Sequence, residues 1–265
     1  MAIITILTDF GVRDGFVGTM KGVILGINPA VTLVDLAHDI APQDIEEAAF
    51  LLRNAYRYFP SGTIHVVVVD PGVGSTRRAL IVESPRHTFV GPDNGVFAYI
   101  YRMEPEARVT AVTNPAYCLP ERSRTFHGRD VFAPVAAHLS RGVSPSACGV
   151  PAHDYVRGEV TEPVITPDRI DGHIIHTDRF GNAITDIPED RFIEATRGRA
   201  FRVEITTCQF DRLSQSYADV PDGSPLAIFG SAGLLEVAVN GGNAAQALGL
   251  KRGDPVSVKI VTSDK

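Results

Sequence analysis

Thr63-Ile64-His65-Val66-Val67-Val68-Val69, followed at once by Asp70-Pro71-Gly72-Val73-Gly74, decides the fold. A near-continuous β-branched run is the pattern of a strand covered on both faces, because neither face alternates to suit water. The Pro-Gly pair marks a turn beyond it. Upstream, Ile3–Leu7 and Val31–Val34 read as short strands, with an apolar helical pattern over Phe16–Ile27 between them. Asp44 and Glu47 have the spacing of a capping box. Ile45, Ala48, Ala49, Leu52, Ala55 and Phe59 follow at helical spacing until Pro60 stops the helix. Downstream, strands are predicted at Ala79–Glu83, Thr88–Val90 and Val109–Val112, and a helix over Asp130–Leu139. This alternation predicts an α/β N-terminal domain, a mostly parallel sheet flanked by helices. Such sheets place ligands beyond the carboxyl ends of their strands. Asp9, Asp35 and Asp70 each follow a strand candidate, which predicts an acidic rim to a cleft.

The texture changes near Glu159. Residues 159–172 carry Pro163 and Pro167 and read as a linker. Short strand patterns follow at His173–Thr177, Ala183–Asp186, Phe201–Thr206, Leu226–Phe229, Leu234–Val239 and Val256–Val261, punctuated by Gly and Pro. The expected organisation is an α/β domain over 1–158, a linker over 159–172 and a smaller C-terminal β-barrel-like domain over 173–265.

The 265 residues are 44% hydrophobic and 21% charged, which excludes a disordered chain, a collagen-like repeat and a coiled coil. With 25 basic against 31 acidic residues the net charge is −6. That balance argues against a nucleic-acid surface, which needs Lys and Arg to neutralise phosphates. Cys118, Cys148 and Cys208 are too few and too scattered for a disulfide framework or a thiolate zinc site, and are expected as free thiols in a reducing compartment. The N-terminal apolar run lacks a basic flank and is broken by Asp9, so it reads as a first strand rather than a signal peptide. No run of apolar residues is long enough to span a bilayer. The expectation is a cytoplasmic protein with no membrane partner.

Four segments concentrate Gly, Asp, Arg, His and Asn: Thr8 to Gly15, Asp70 to Arg78, Phe126 to Asp130, and Asp178 to Asn182. Gly72-Val73-Gly74 after a strand resembles a dinucleotide loop. The third glycine is missing, however, and Ala79-Leu80-Ile81-Val82 reads as strand, so the helix N-terminus that holds a pyrophosphate is absent. No Gly-Lys-Ser/Thr and no Gly-x-Ser-x-Gly occurs, against a P-loop and a nucleophile elbow. His38, Asp39, Asp70, His127 and Asp130 are hard metal ligands by type, but their spacing matches no metal motif, and Asp130 reads more simply as a helix cap. There remains a group of Asp70, Arg77 and His127, able to bind, orient and deprotonate a water.

Thr8-Asp9-Phe10-Gly11, Asp70-Pro71-Gly72-Val73-Gly74 with Arg77, Phe126-His127-Gly128-Arg129-Asp130, Phe180-Gly181-Asn182, Tyr217-Ala218-Asp219-Val220-Pro221 and Phe229-Gly230-Ser231-Ala232-Gly233-Leu234-Leu235-Glu236 together resemble the S-adenosyl-L-methionine hydroxide adenosyltransferases, relatives of the fluorinases and chlorinases. The resemblance covers residues 3 to about 262. It implies hydrolysis of S-adenosylmethionine to adenosine and methionine, water attacking the ribose C5′ in line with the departing sulfur. It implies a catalytic triad of Asp70, Arg77 and His127, the family interval selecting Arg77 over Arg78. It places Asp9 at the ribose diol, Asp178 near the methionine ammonium and Asn182 at the adenine edge. Phe126 and Phe180 would pack on adenosine or the thioether chain, and Ser231, Glu236 and Val239 would close the nucleoside pocket. Asp14 and Phe16 fall where the halogenases carry polar groups, and Phe16 departs from that pattern. No metal and no organic cofactor is implied. The partner expected is a small-molecule substrate, held in a homotrimer between the first domain of one subunit and the second domain of its neighbour.

A halogenase is the alternative enzyme. Against it, the halogenases carry a phenol where this chain has Asp70 and a serine where it has Gly128, and an extra loop for which the short turns around 79–97 leave no room. A carboxylate beside a bare halide is repulsive. A non-catalytic nucleoside-binding protein would need Asp9 and Asn182 but not the triad.

Overall fold

The computed structural model describes residues 2–206 and 208–261. Met1, Thr207 and residues 262–265, which the expected domains include, lie outside the described residues. The chain forms two compact units, Met1–Val160 and Thr161–Lys265.

The first unit contains β1 (Ile3–Thr8), α1 (Phe16–Ile27), β2 (Thr32–Ala37), α2 (Ile45–Ala55), β3 (Ile64–Val68), β4 (Ala79–Glu83), β5 (Thr88–Pro92), α3 (Ala98–Met103), β6 (Arg108–Val112), α4 (Ala133–Ser140), the one-turn α5 (Pro145–Cys148) and β7 (Gly149–Pro151). They build one sheet in the order β2-β1-β3-β5-β4-β6-β7. The pairs β1–β2, β1–β3 and β3–β5 are parallel. Antiparallel β4, β6 and β7 extend the sheet beyond β5. All of β3 is buried. Val66 and Val68 face a core with Met20 and Ile24 of α1 and Val135 of α4. Val67 and Val69 face the other core, with Ala48 and Leu52 of α2 and Ile100 of α3. Helices therefore cover both faces, the condition for a strand without polar alternation.

At the start of α2 the Asp44 carboxylate accepts from Glu47 N at 2.9 Å, while Glu47 Oε2 accepts from Ala41 N at 3.0 Å. The cap thus reaches back to the incoming loop. Two expectations change. β2 runs on to Ala37, so Asp35 lies inside a strand and not at its carboxyl end, and its carboxylate pairs with Lys21 at 2.6 Å. The helix expected over 130–139 starts earlier, as a π-helical turn over Gly128–Phe132 that leads into α4. Asp130 is inside that turn and fully buried; it accepts from Ser123 N at 2.7 Å and pairs with Arg129, so it ties down the preceding loop rather than capping the helix.

The second unit contains β8 (Val164–Ile165), β9 (Arg169–Thr177), β10 (Ala183–Pro188), α6 (Glu189–Thr196), β11 (Phe201–Ile205), β12 (Cys208–Phe210), β13 (Pro225–Phe229), β14 (Leu234–Val239), α7 (Ala244–Leu248) and β15 (Pro255–Ile260). The order is β12-β11-β15-β9-β10-β14-β13, with β8 paired to β9. Val203 and Phe210 near one end of this order share a core with Ala227 and Phe229 at the other, so the sheet curls into a barrel-like form. β8 and the start of β9 fall in the stretch expected as a linker: Val164 pairs with Asp171 and Ile165 with Ile170 across the turn at Pro167.

Candidate active site

Thr8 pairs with Val68 in the parallel register of β1 and β3. Asp9 and Asp70 therefore leave neighbouring strands at their carboxyl ends. Asn94 Nδ2 donates to Val69 O at 2.9 Å and fixes the end of the second chain. Asp9 Oδ2 accepts from Gln43 N at 2.8 Å.

Arg77 reaches back across the turn to Asp70. Its Nε donates to Oδ1 at 2.9 Å and to Oδ2 at 3.0 Å, and its Nη2 also donates to Oδ2. Both side chains are buried. Nη2 also lies 2.9 Å from His127 Nδ1. A guanidinium can only donate, so His127 Nδ1 accepts, and a neutral ring then carries its proton on Nε2. Nη1 donates to Arg78 O at 3.3 Å, and the guanidinium stacks over Phe132 at 5.0 Å. Burial first, and then the Arg77 charge, push the His127 imidazole below its ordinary value, against Asp70 and Asp130. Arg78 points elsewhere, to Asp93 at 2.7 Å and Asp154 at 2.7 Å.

Two loops meet to make this contact. In the first, Ser75 N donates to Gly72 O at 3.1 Å and Arg77 N to Ser75 Oγ at 3.2 Å. Gly74 has φ +77, and a Cβ there would overlap the Arg124 carbonyl of the second loop. In the second, Phe126 N donates to Ser123 Oγ at 3.0 Å, and Asp130 holds Ser123 from below. A Cβ on Gly128 would stand 3.1 Å from Met20 Sδ and 3.2 Å from the Phe126 ring.

The result is a cleft of about 390 Å³ lined by Asp9, Asp70, Phe126, His127, Phe10 and Phe16, among others. The three phenyl rings pack edge to face or tilted, with centroids 5.2–5.8 Å apart. Larger clefts of about 690 and 480 Å³ occur at Arg191–Arg199 and beside β6. They hold none of these residues, so volume alone does not locate the chemistry. Among the described residues, no three His, Cys, Asp or Glu side chains are grouped so as to hold a metal ion.

In the second unit Asp178, Phe180 and Asn182 share the loop between β9 and β10. Asp178 Oδ1 accepts from Phe180 N and Asn182 N, both at 2.9 Å, and Oδ2 accepts from Asn182 Nδ2 at 3.0 Å. One N–H of the amide is thereby committed, which leaves its second N–H and its oxygen for a ligand. Phe180 is 75% exposed. Glu236 is buried on β14 and accepts from the Tyr217 hydroxyl at 2.8 Å. Burial, reinforced by the nearby Asp178 charge, pushes the Glu236 carboxyl up, and burial and Glu236 push the Tyr217 phenol to about 12. Ser231 lies on the exposed turn before β14. Val239 is three residues along β14 from Glu236, hence on its opposite face, and is buried against Gly242. The structure does not bring it to Glu236.

Residue types alone did not single out Phe10, Gln43, Phe132 or Tyr217. Gln43 acts through its backbone N–H, which no side-chain pattern reports. The apolar pattern predicts Phe132 as plain helix, and only the π-turn places it under Arg77.

Residues 4–149 match the SAM hydroxide adenosyltransferase N-terminal domain, and residues 172–257 the C-terminal domain. The chain is 42% identical over 262 residues to the (R)-S-adenosyl-L-methionine hydrolase of Thermus thermophilus, covering 94% of this chain and 96% of that protein. It is 35% identical to the protein of the same name from Salinispora arenicola, over 96% of this chain and 97% of the other. It is more distant, at 27% identity, from the fluorinase of Nocardia brasiliensis, with 97% of each covered. The crystal structure of a conserved protein from Thermotoga maritima superposes with a TM-score of 0.91 at 35% identity, over 97% of this chain and 99% of that one. Matched along both of its units, the chain belongs to the S-adenosyl-L-methionine hydroxide adenosyltransferase family.

Proposed function

We propose that this chain hydrolyses S-adenosyl-L-methionine to adenosine and L-methionine. The observation that carries the mechanism is the unbroken run of contacts from Asp70 through Arg77 to His127 at one edge of an open cleft.

Arg77 meets the Asp70 carboxylate with two N–H groups, Nε–H shared between both oxygens, which leaves acceptor capacity for a water O–H. His127, with Nδ1 committed to Arg77, offers its Nε2 proton to the same water's oxygen. A water held by one accepted and one donated bond keeps a lone pair to aim at C5′. As the C5′–O bond forms, the C5′–S bond breaks and its electron pair returns to sulfur, giving the neutral thioether of methionine. The attacking water becomes strongly acidic in this step, and its proton passes to Asp70 and from there to solvent. No proton is needed on the leaving group, and no cofactor or metal takes part.

Asp9 would receive the two ribose hydroxyls, Asn182 the adenine edge through its amide oxygen and remaining N–H, and Asp178 the methionine ammonium. Phe126, Phe180, Ser231, Glu236 and Val239 would complete the pocket. The finer reading is a cytoplasmic homotrimer in which the second unit of a neighbouring subunit covers the cleft. An open cleft with Phe16 46% exposed, and a Phe180 ring 75% exposed, supports a covered site of that kind.

The test is incubation with S-adenosylmethionine, with chloride present and after exhaustive chelation. Adenosine and methionine in equal amounts, insensitive to both, are expected. A 5′-chloro nucleoside as main product would make the chain a halogenase, and no turnover with retained binding would make it a nucleoside-binding protein.

A further inference from the structure

Behind Asp9, the fully buried Thr8 hydroxyl lies 2.9 Å from Nδ1 of the buried His38 and accepts from Phe10 N at 3.3 Å. His38 Nε2 stands 2.9 Å from Asp35 Oδ1, an electrostatic contact rather than an aligned hydrogen bond. Lys21 Nζ donates to Asp35 Oδ2 at 2.6 Å. The His38 backbone takes part as well, its carbonyl accepting from Gly11 N at 2.7 Å.

A Thr-His-Asp order has the connectivity of a nucleophilic triad. Thr8 cannot serve as the nucleophile, because no solvent or ligand reaches it and its oxygen is already an acceptor. Nε2 of His38 is turned to Asp35, and a neutral ring with its proton there takes the Thr8 O–H at Nδ1. What the network grips is the chain on both sides of Asp9. Phe10 N is held by the Thr8 side chain and Gly11 N by the His38 carbonyl, while the Asp9 carboxylate itself is capped by Gln43 N.

We propose that Thr8 and His38, backed by Asp35 and Lys21, are positioning residues for Asp9, fixing the backbone of residues 8–11 so that the Asp9 carboxylate meets both ribose hydroxyls. The inference rests on the assignment of the ribose diol to Asp9 made above. A carboxylate accepting two hydroxyls needs a defined plane, and a loop beyond a strand end does not supply one unless it is tied.

The experiment compares the affinities of adenosine and 2′,3′-dideoxyadenosine, by calorimetry on the intact protein, for the parent, Thr8→Val and Thr8→Ser. The parent is expected to prefer adenosine. Thr8→Val should weaken adenosine about tenfold, the equivalent of one hydrogen bond to a charged group, and leave dideoxyadenosine unchanged. Thr8→Ser should restore the preference. Equal losses for both nucleosides would show a merely structural role and overturn the proposal, as would an undiminished preference in Thr8→Val. Should Thr8→Val fail to fold, Asp35→Asn carries the test, since its side chain is 42% exposed. It should reduce the preference in the same sense, and an unchanged preference overturns the proposal. A parent that binds both nucleosides equally would remove Asp9 from the diol, and the inference falls with it. A parent that prefers adenosine keeps the two questions apart.

Discussion

Arg77 Nη2 lies 2.9 Å from His127 Nδ1, across a 50-residue separation in the chain. The contact exists only while Nδ1 is unprotonated. Burial and the Arg77 charge hold the imidazole below its ordinary 6.5, so the neutral form persists to lower pH than in a free histidine. The acid limb of kcat/KM should therefore have its midpoint below 6.5, activity being lost as pH falls through it. A midpoint above 6.5 in a pH–rate profile would contradict this geometry.

Arg77→Lys keeps the charge but loses the fork that spans Asp70 and His127 at once. It should lower kcat by about 10²-fold or more with a smaller change in KM, because the lost contacts orient the nucleophile rather than the substrate. Asp70→Asn should act in the same direction. A KM effect alone, in steady-state kinetics with S-adenosylmethionine, would place Arg77 in binding instead.

Gly74 joins the two loops at φ +77, where a side chain is strained and would overlap the Arg124 carbonyl. Gly74→Ala should separate the Asp70 turn from the His127 loop. Turnover should fall by about tenfold or more, and thermal unfolding should shift only modestly, the segment being peripheral to either core. A variant with parental kcat would show that the loops need not touch.

His65 is fully buried, bonded through Nδ1 to Thr5 at 2.8 Å and stacked on Phe89. Burial, and then His87, lower its value from 6.5 to about 3. The unfolded chain thus binds a proton that the folded one does not. Stability is fully present above 6.5 and is lost as pH falls towards about 3, at no more than about 1.4 kcal/mol per pH unit. Urea unfolding should show a lower free energy at about pH 4.5 than at about pH 7, and His65→Asn, which keeps a partner for Thr5 without a titrating ring, should reduce that difference. An equal difference in both proteins would remove His65 as its source.

The strand over 64–68, the helices over 16–27 and 45–55 and the strand over 234–239 were legible because burial imposes their periodicity directly. β8, with two residues, and the four residues of β9 before His173 were read as linker because Pro167 suggests a break and their pairing is tertiary. The π-turn at Gly128–Phe132 carries no periodic signal, so the sequence alone suggests a cap at Asp130 and shows no seat for Arg77 at Phe132. The composition of Asp70, Arg77 and His127 suggested a water-activating group, and the resemblance selected the members. Only coordinates could show that Arg77 reaches both others. The Asp9 support through Thr8 and His38 was invisible, since neither residue type at that spacing forms a known motif.

Attack by water on the sugar carbon leaves an isotopic record. Turnover of S-adenosylmethionine in water enriched with oxygen-18, with mass analysis of both products, reads it. One heavy oxygen is expected in the adenosine, at the 5′-hydroxyl, and none in the methionine. Adenosine without the label, or a product bearing halide at C5′, would contradict such an attack.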